Sequence, residues 1–238
     1  RLRRRRCFGW GKFNLSAGDQ NPSLVHRESR VGGEMSNPYQ VVKDFEAALS
    51  DYTGAPFVVC VNSCTAALEL SLLWTASQVK RKMKIVCPDR TYISVPMVIK
   101  RAGFKFEWID RLGAWSGGHY SLFPYNIIDS ACRFTFGMYE RSQFQCVSFA
   151  ANKILGIEQG GAILHDNPYA DKWFRRMRFD GRTEGVDPKD DTFDLVGLHC
   201  PMLPSIAAQG ILRLHHLPKH NDDLVFDYPD LSKHEAFK

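Results

Sequence analysis

The chain has 238 residues, 44% of them hydrophobic, and a formal net charge of +5. That length and apolar content suit one α/β domain with a sizeable core, and no apolar run approaches the roughly 20 residues that a membrane-spanning helix needs. Arg1, Arg3, Arg4, Arg5 and Arg6 carry five of the positive charges, so the rest of the chain is neutral and a basic face for nucleic acid is not expected.

Residues 1–30 read as a polar, irregular segment. An arginine run can bind nucleic acid or an anionic surface, but no basic helix or aromatic platform follows it. No apolar stretch follows it either, so a secretory leader is not expected. The preferred reading is a solvated or processed end. Gly32-Gly33 and Asn37-Pro38 mark a loop. From Tyr39 to Tyr52 the apolar residues Val41, Val42, Phe45, Ala48 and Leu49 fall at helical spacing, with Gly54 as the stop. Phe57 to Val61 predicts a short buried strand. A turn at Asn62-Ser63-Cys64-Thr65 leads into a helix through Leu68, Leu70, Leu72 and Leu73. Lys84 to Cys87 predicts a strand closed by Pro88, and Thr91 to Arg101 a helix ended by Gly103.

Phe104 to Asp110 predicts the next strand, 111–123 a glycine-containing loop, and Tyr125 to Ile128 a strand ending at Asp129. Gln145 to Phe149 and Gly161 to Leu164 predict two more strands. Pro168 to Phe179 is an amphipathic helix rich in Arg and Lys, 180–191 a charged loop, and Ser205 to Leu217 a last helix. Residues 221–238 are polar and expected to be loose. The organisation expected is therefore a basic segment over 1–30, a domain over 31–217 and a short polar tail over 218–238. Seven cysteines, an odd number without a C-x-x-C pair, point to reduced thiols in the cytoplasm rather than to disulfides or zinc. The adjacent His215-His216 makes a poor chelate on a helix.

Strands alternating with helices predict a three-layer α/β/α fold with a mostly parallel sheet. In such sheets ligands bind beyond the carboxyl ends of the strands. Several candidate residues fall there. Lys153 follows the strand ending at Ser148; held in an apolar surround it would lose its charge readily and act as a nucleophile toward a carbonyl, although most lysines are simply solvated. Ser63-Cys64-Thr65 opens a helix, which favours an anion such as a phosphate, or is an ordinary cap. Asp129 ends a buried strand and needs a cationic partner: a protonated pyridine nitrogen or a structural arginine such as Arg133. Tyr92 could stack on a planar ring or belong to the core. Together a phosphate nest, a ring partner, an aromatic face and a lysine describe a site for pyridoxal 5′-phosphate (PLP).

The same stretches carry a resemblance. Lys43 to Leu49 with Tyr52-Thr53-Gly54-Ala55, Asn62 to Leu68, Pro88 to Tyr92, Arg101-Ala102-Gly103, Ile128 to Ala131, Ser148 to Lys153 and Glu158-Gln159-Gly160-Gly161 resemble the large domain of the DegT/DnrJ/EryC1/StrS family. Its members are PLP-dependent sugar aminotransferases with the aspartate-aminotransferase-like fold. The resemblance implies that Lys153 holds PLP as a Schiff base and shuttles a proton. It implies that Asp129 protonates the pyridine nitrogen, that Cys64, Thr65 and Ser148 bind the phosphate, and that Tyr92 stacks on the ring. It further implies transfer of an amino group from glutamate or glutamine to a keto sugar on a nucleotide, within a homodimer that shares its sites.

The chain departs from the family at four places. Cys64 replaces a glycine, Ile128 a glutamate and Cys132 a glutamine or histidine that meets the cofactor or substrate. His199-Cys200-Pro201 stands for an Asn-x-Arg whose Asn reaches the partner's cofactor phosphate; His199 could serve as that donor, but Pro201 cannot replace the arginine. The family's smaller C-terminal domain is expected to be largely missing. Two other readings follow: a dehydratase of the same family, which Lys153 argues against, and a non-catalytic PLP-binding or regulatory protein, which the lost polar residues favour.

Overall fold

The computed structural model describes Asn37 and residues 39–237. The arginine run, Cys7 and Gly32-Gly33 lie outside the described residues. Helix α1 (Gln40–Thr53) buries Val42, Phe45 and Leu49 along one stripe, and it ends where Gly54 takes the left-handed φ of 80° that a side chain would resist. Strand β1 (Phe57–Val61) follows, then α2 (Cys64–Gln78), whose start is capped by Ser63: its Oγ accepts from Ala66 N at 3.2 Å. Strand β2 (Ile85–Pro88) leads to α3 (Ser94–Arg101). This helix tolerates Pro96 because its first turn has no intrahelical N–H bonds to lose.

Strand β3 (Phe106–Ile109) is followed by a short helix, α4 (Arg111–Ala114), and by the two-residue strand β4 (Tyr120–Ser121). The sequence shows only a glycine-containing loop there. Both elements are set by distant partners: Asp89 Oδ1 accepts from Arg111 N, and β4 exists by pairing with β5 (Ile127–Asp129). Strands β6 (Phe144–Ser148) and β7 (Gly161–His165), then α5 (Pro168–Met177) and α6 (Pro204–His216), follow, with short 3-10 turns at Pro188–Asp190, Leu231–Lys233 and Glu235–Phe237.

The strands form a five-stranded sheet in the order β1-β7-β6-β5-β4 and a separate parallel pair, β2-β3. One backbone bond, Val86 N to Phe123 O at 2.8 Å, ties β2 to the segment just past β4. The α/β class holds, but the mostly parallel sheet does not: β1/β7, β7/β6 and β4/β5 are antiparallel, and only β5/β6 and β2/β3 are parallel. For the pairs β4/β5 and β6/β7 the reason is connection length. The links β4 to β5 and β6 to β7 carry no helix, so each returns as a hairpin instead of crossing over.

Side chains alternate across the sheet and build two cores. Val59, Val61, Cys146 and Ile163 face α2, α3 and α5, whereas Val58, Cys60, Val147, Ala162 and Leu164 face α1 and α6. The second core is crossed by one buried ionic cluster. Glu46 of α1 accepts from Arg178 and Arg175 and from the backbone N–H of Cys60, and Arg178 also donates to Cys60 O.

The polar end, expected to be loose, is packed. From Leu224 the chain runs extended with period two. Leu224, Phe226 and Tyr228 point in, Val225, Asp227 and Pro229 point out, and Leu231 and Phe237 are buried. That alternation is visible in the sequence, but the apolar Val225 on the outward face interrupts it.

Candidate active site

A cavity of about 350 Å³ opens beyond the ends of β1, β5 and β6. Ser63, Cys64 and Thr65 line it from the start of α2, Asp129 and Cys132 from the end of β5, and Ser148 and Lys153 from the end of β6. Tyr92 closes one side at the approach to α3. These eight residues, widely separated in sequence, thus meet in one place. His199 is not among the lining residues. It lies exposed beside Asp180, with Nδ1 2.7 Å from Oδ2.

Each position has a local cause. The start of α2 leaves backbone N–H groups without intrahelical partners, so the cavity meets the positive end of a helix. Ser63 spends its hydroxyl on the cap, and Thr65 Oγ1 lies 2.8 Å from Ser94 Oγ, which ties the starts of α2 and α3 together. Gly161 of β7 runs directly beneath this turn. A Cβ at Gly161 would stand 2.5 Å from Cys64 N and 2.6 Å from Ser63 C, so only glycine lets the strand and the helix start approach this closely. Gly161→Ala is expected to destabilise the fold by about 1–3 kcal/mol through this backbone clash. Thermal unfolding checks this, and an unchanged melting temperature would refute the close approach.

The loop between β6 and β7 presents the lysine. Phe149, Leu155 and Ile157 anchor it in the core, and Ile157 N donates to Phe149 O at 3.0 Å. Lys153 N donates to Ala150 O at 2.8 Å, making a turn that projects the side chain into the cavity. Its Nζ lies 3.5 Å from Cys132 Sγ and 4.1 Å from the centre of the Phe226 ring.

Asp129 is 5% exposed. Its carboxylate accepts from Tyr120 Oη at 2.7 Å and from Ala131 N at 2.9 Å, and Tyr120 Oη in turn lies 2.6 Å from Thr91 Oγ1. Among the described residues it forms no ion pair; Arg133, the structural partner considered above, pairs with Asp223 instead. Burial pushes its pKa above the ordinary carboxylate range, against the pull of Tyr120, Ala131 and the Lys153 charge. Its charged form is therefore costly in this surround. Burial also raises the Cys64 and Cys132 thiols, so both are neutral near pH 7 and neither is an activated nucleophile.

The sequence reading missed several lining residues. Asn62, Asn152 and Gln159 sit in recognised motifs without an assigned role, and Trp115, Phe226 and Tyr228 come from segments read as loop and tail. Tyr92 meets Tyr228 edge-on at 6.5 Å between ring centres, and Trp115 stacks on the same tyrosine at 6.3 Å. Among the described residues no cluster of His, Cys, Asp and Glu could hold a metal ion.

Against known proteins, the model of the DegT/DnrJ/EryC1/StrS aminotransferase family matches residues 21–112 and 137–223. No curated protein matches the chain. Several solved structures share its fold. AtS13 from Actinomadura melliaura is 19% identical with a TM-score of 0.64, over 74% of this chain and 60% of that one. DesV from S. venezuelae, solved in complex with a ketimine intermediate, is 18% identical with a TM-score of 0.59, over 74% and 56%. The sugar aminotransferase CalS13 from Micromonospora echinospora is 17% identical with a TM-score of 0.57, over 74% and 61%. At these identities the likeness is one of fold, and the chain spans only about three-fifths of each solved protein.

Proposed function

The chain belongs to the DegT/DnrJ/EryC1/StrS aminotransferase family, and on that premise we propose that it is a PLP-dependent aminotransferase. Its reaction would move an amino group from glutamate or glutamine to a keto sugar carried on a nucleotide. The observation that carries this reading is Asp129. A buried carboxylate that has no ion pair among the described residues shares one cavity with a lysine and with the start of a helix.

The residues present fit PLP. The start of α2 at Cys64 and Thr65, with the Ser148 hydroxyl, suits its phosphate. Asp129 suits its protonated ring nitrogen, and this pairing removes the cost of the buried charge. Tyr92 offers a ring face, and Lys153 offers the amine that holds the aldehyde carbon. When bound, PLP supplies an electron sink for the carbanion left by deprotonating the donor. The chain's own part would be to orient the donor beside Lys153 Nζ, which, once freed from the cofactor by the donor's own amine, would take a proton from the donor carbon and return it. Asp129 keeps its charge on the ring side throughout. Tyr120, held protonated by burial, fixes the carboxylate by donating to it.

CalS13 is a sugar aminotransferase, which supports a sugar acceptor here. A homodimer with shared sites belongs to the reading, with the exposed His199 meeting the partner's cofactor phosphate. So does the cytoplasm: the six cysteines of the described residues are all free thiols, and no described helix is long and apolar enough to cross a membrane.

The test is to add PLP, reduce with borohydride, digest, and weigh the peptides. A pyridoxyl mass on the Lys153 peptide supports the reading, and its absence there overturns it. In a second arm, the protein mixed with PLP should show a visible absorption band that glutamate, added before reduction, removes. A band indifferent to every amino donor would favour a non-catalytic PLP-binding protein, the reading to which Pro201 in place of the family's arginine points.

A further inference from the structure

The segment that crosses the mouth of the cavity is fastened differently at its ends and in its middle. At the near end Lys219 O accepts from Phe136 N at 2.9 Å, Leu224 N donates to Cys132 O at 2.8 Å, and Asp223 accepts from Gly118 N and Arg133. At the far end Leu231 N donates to Asp89 O at 2.7 Å, and Phe237 packs on Trp108. Between Leu224 and Leu231 no backbone ladder holds it. Two arginine side chains reach its carbonyls instead: Arg111 to Phe226 O at 2.9 Å and Arg90 to Tyr228 O at 3.0 Å.

The inward residues of this middle stretch lie on the reactive lysine. The Phe226 ring stands 4.1 Å from Lys153 Nζ, a cation–π distance, and Tyr228 Oη lies 3.9 Å from Cys132 Sγ, the thiol that the same Nζ touches at 3.5 Å. Tyr228 also forms part of the wall between this cavity and a neighbouring one lined by Ile93, His234 and Phe237. Thus one short stretch covers the amine, and it can lift without breaking any backbone pairing.

We propose that residues 224–231 form a gate over the Lys153 amine, closed by Phe226 and hinged at Leu224 and Leu231. In the closed state any carbonyl compound must displace Phe226 before it meets Nζ. The arginine bonds at the two carbonyls set how often the stretch lifts, because side-chain bonds at a partly exposed surface open locally at small cost. The gate's importance to catalysis rests on the aminotransferase reading, but its existence does not.

The test therefore uses a probe that needs no cofactor. The 238-residue chain is treated with formaldehyde and cyanoborohydride, and methylation of Lys153 is measured by peptide mass against the exposed Lys80. Phe226→Ala removes the cover, and Arg111→Met loosens the middle from outside the cavity. Both variants are expected to raise the Lys153 to Lys80 ratio about tenfold, the factor that ~1.4 kcal/mol of lost closing free energy gives. A ratio unchanged in both variants would overturn the gate. If the ratio rises while PLP leaves no borohydride-fixed mass on Lys153, the gate stands and the aminotransferase reading falls. If both hold, PLP uptake should quicken in the same two variants.

Discussion

Glu46→Ala is expected to cost about 3–5 kcal/mol of folding free energy, because it leaves the buried Arg178 guanidinium with Glu184 as its sole remaining carboxylate among the described residues. Arg178 is 2% exposed and donates to Glu46 Oε1, while Arg175 donates to Oε2 at 2.6 Å. The same carboxylate accepts from Cys60 N at 2.9 Å, so its loss also orphans a backbone donor in the middle of β1. Glu184 Oε1 still accepts from Arg178 Nε at 2.9 Å and lies 2.8 Å from its Nη2, which softens the loss without replacing it. The pH dependence has a definite sign. Burial alone would raise the Glu46 pKa, but Arg178 and Arg175 hold it below its ordinary value of 4.5. A depressed carboxylate stabilises the fold above its unfolded pKa, and this contribution fades as pH falls through the folded one. Urea unfolding of wild type and variant should therefore show a wide gap at pH 7 that narrows in acid. A gap under about 1 kcal/mol at pH 7, the worth of an ordinary surface pair, would mean the cluster is effectively solvated.

Asp129→Asn is expected to act with opposite signs on stability and on chemistry. In the cofactor-free protein, burial raises the Asp129 pKa. A raised acid binds its proton more tightly when folded, so its contribution is best below the unfolded pKa and worsens as pH rises through the folded one. At neutral pH the charge therefore costs stability, and the neutral amide should raise the melting temperature. The Tyr120 hydroxyl can adapt, since it already lies 2.6 Å from Thr91 Oγ1 and can donate there while accepting from the amide. On the proposed reading, the variant with PLP present would lose the charge assigned to keep the ring nitrogen protonated. The half-reaction with glutamate should slow by about a hundred- to thousandfold, the range for losing one preorganised electrostatic partner. Thermal melting without cofactor and stopped-flow absorption with it read the two effects separately. A variant that melts lower and reacts at the wild-type rate would make Asp129 a structural carboxylate.

Much of this site was legible before any coordinates. Lys153, Asp129, Ser148 and the Ser63-Cys64-Thr65 turn each stand at the end of an apolar run, and runs that end in polar residues betray a strand end. The structure brings all of them to one cavity. What stayed hidden depends on distant segments. Tyr120 looks like a loop residue until β4 pairs with β5 and aims its hydroxyl at Asp129. Arg133 looks like a fit partner for Asp129 by proximity in sequence, yet Asp223, ninety positions away, takes it.

The sequence by itself determined the helices and strands of the core, because period and caps are local properties of the chain, and it placed the lysine loop and the helix start that faces it. Only the tertiary structure decided the direction of β1 and β7 in the sheet, which follows from pairing rather than from composition. It alone decided that Phe226 lies over Lys153 and that Tyr228 reaches Cys132 beside it. The alternation of Leu224, Phe226 and Tyr228 states that these side chains share a face, but not what that face meets. Its partner lies some seventy residues upstream, and no local rule reaches that far.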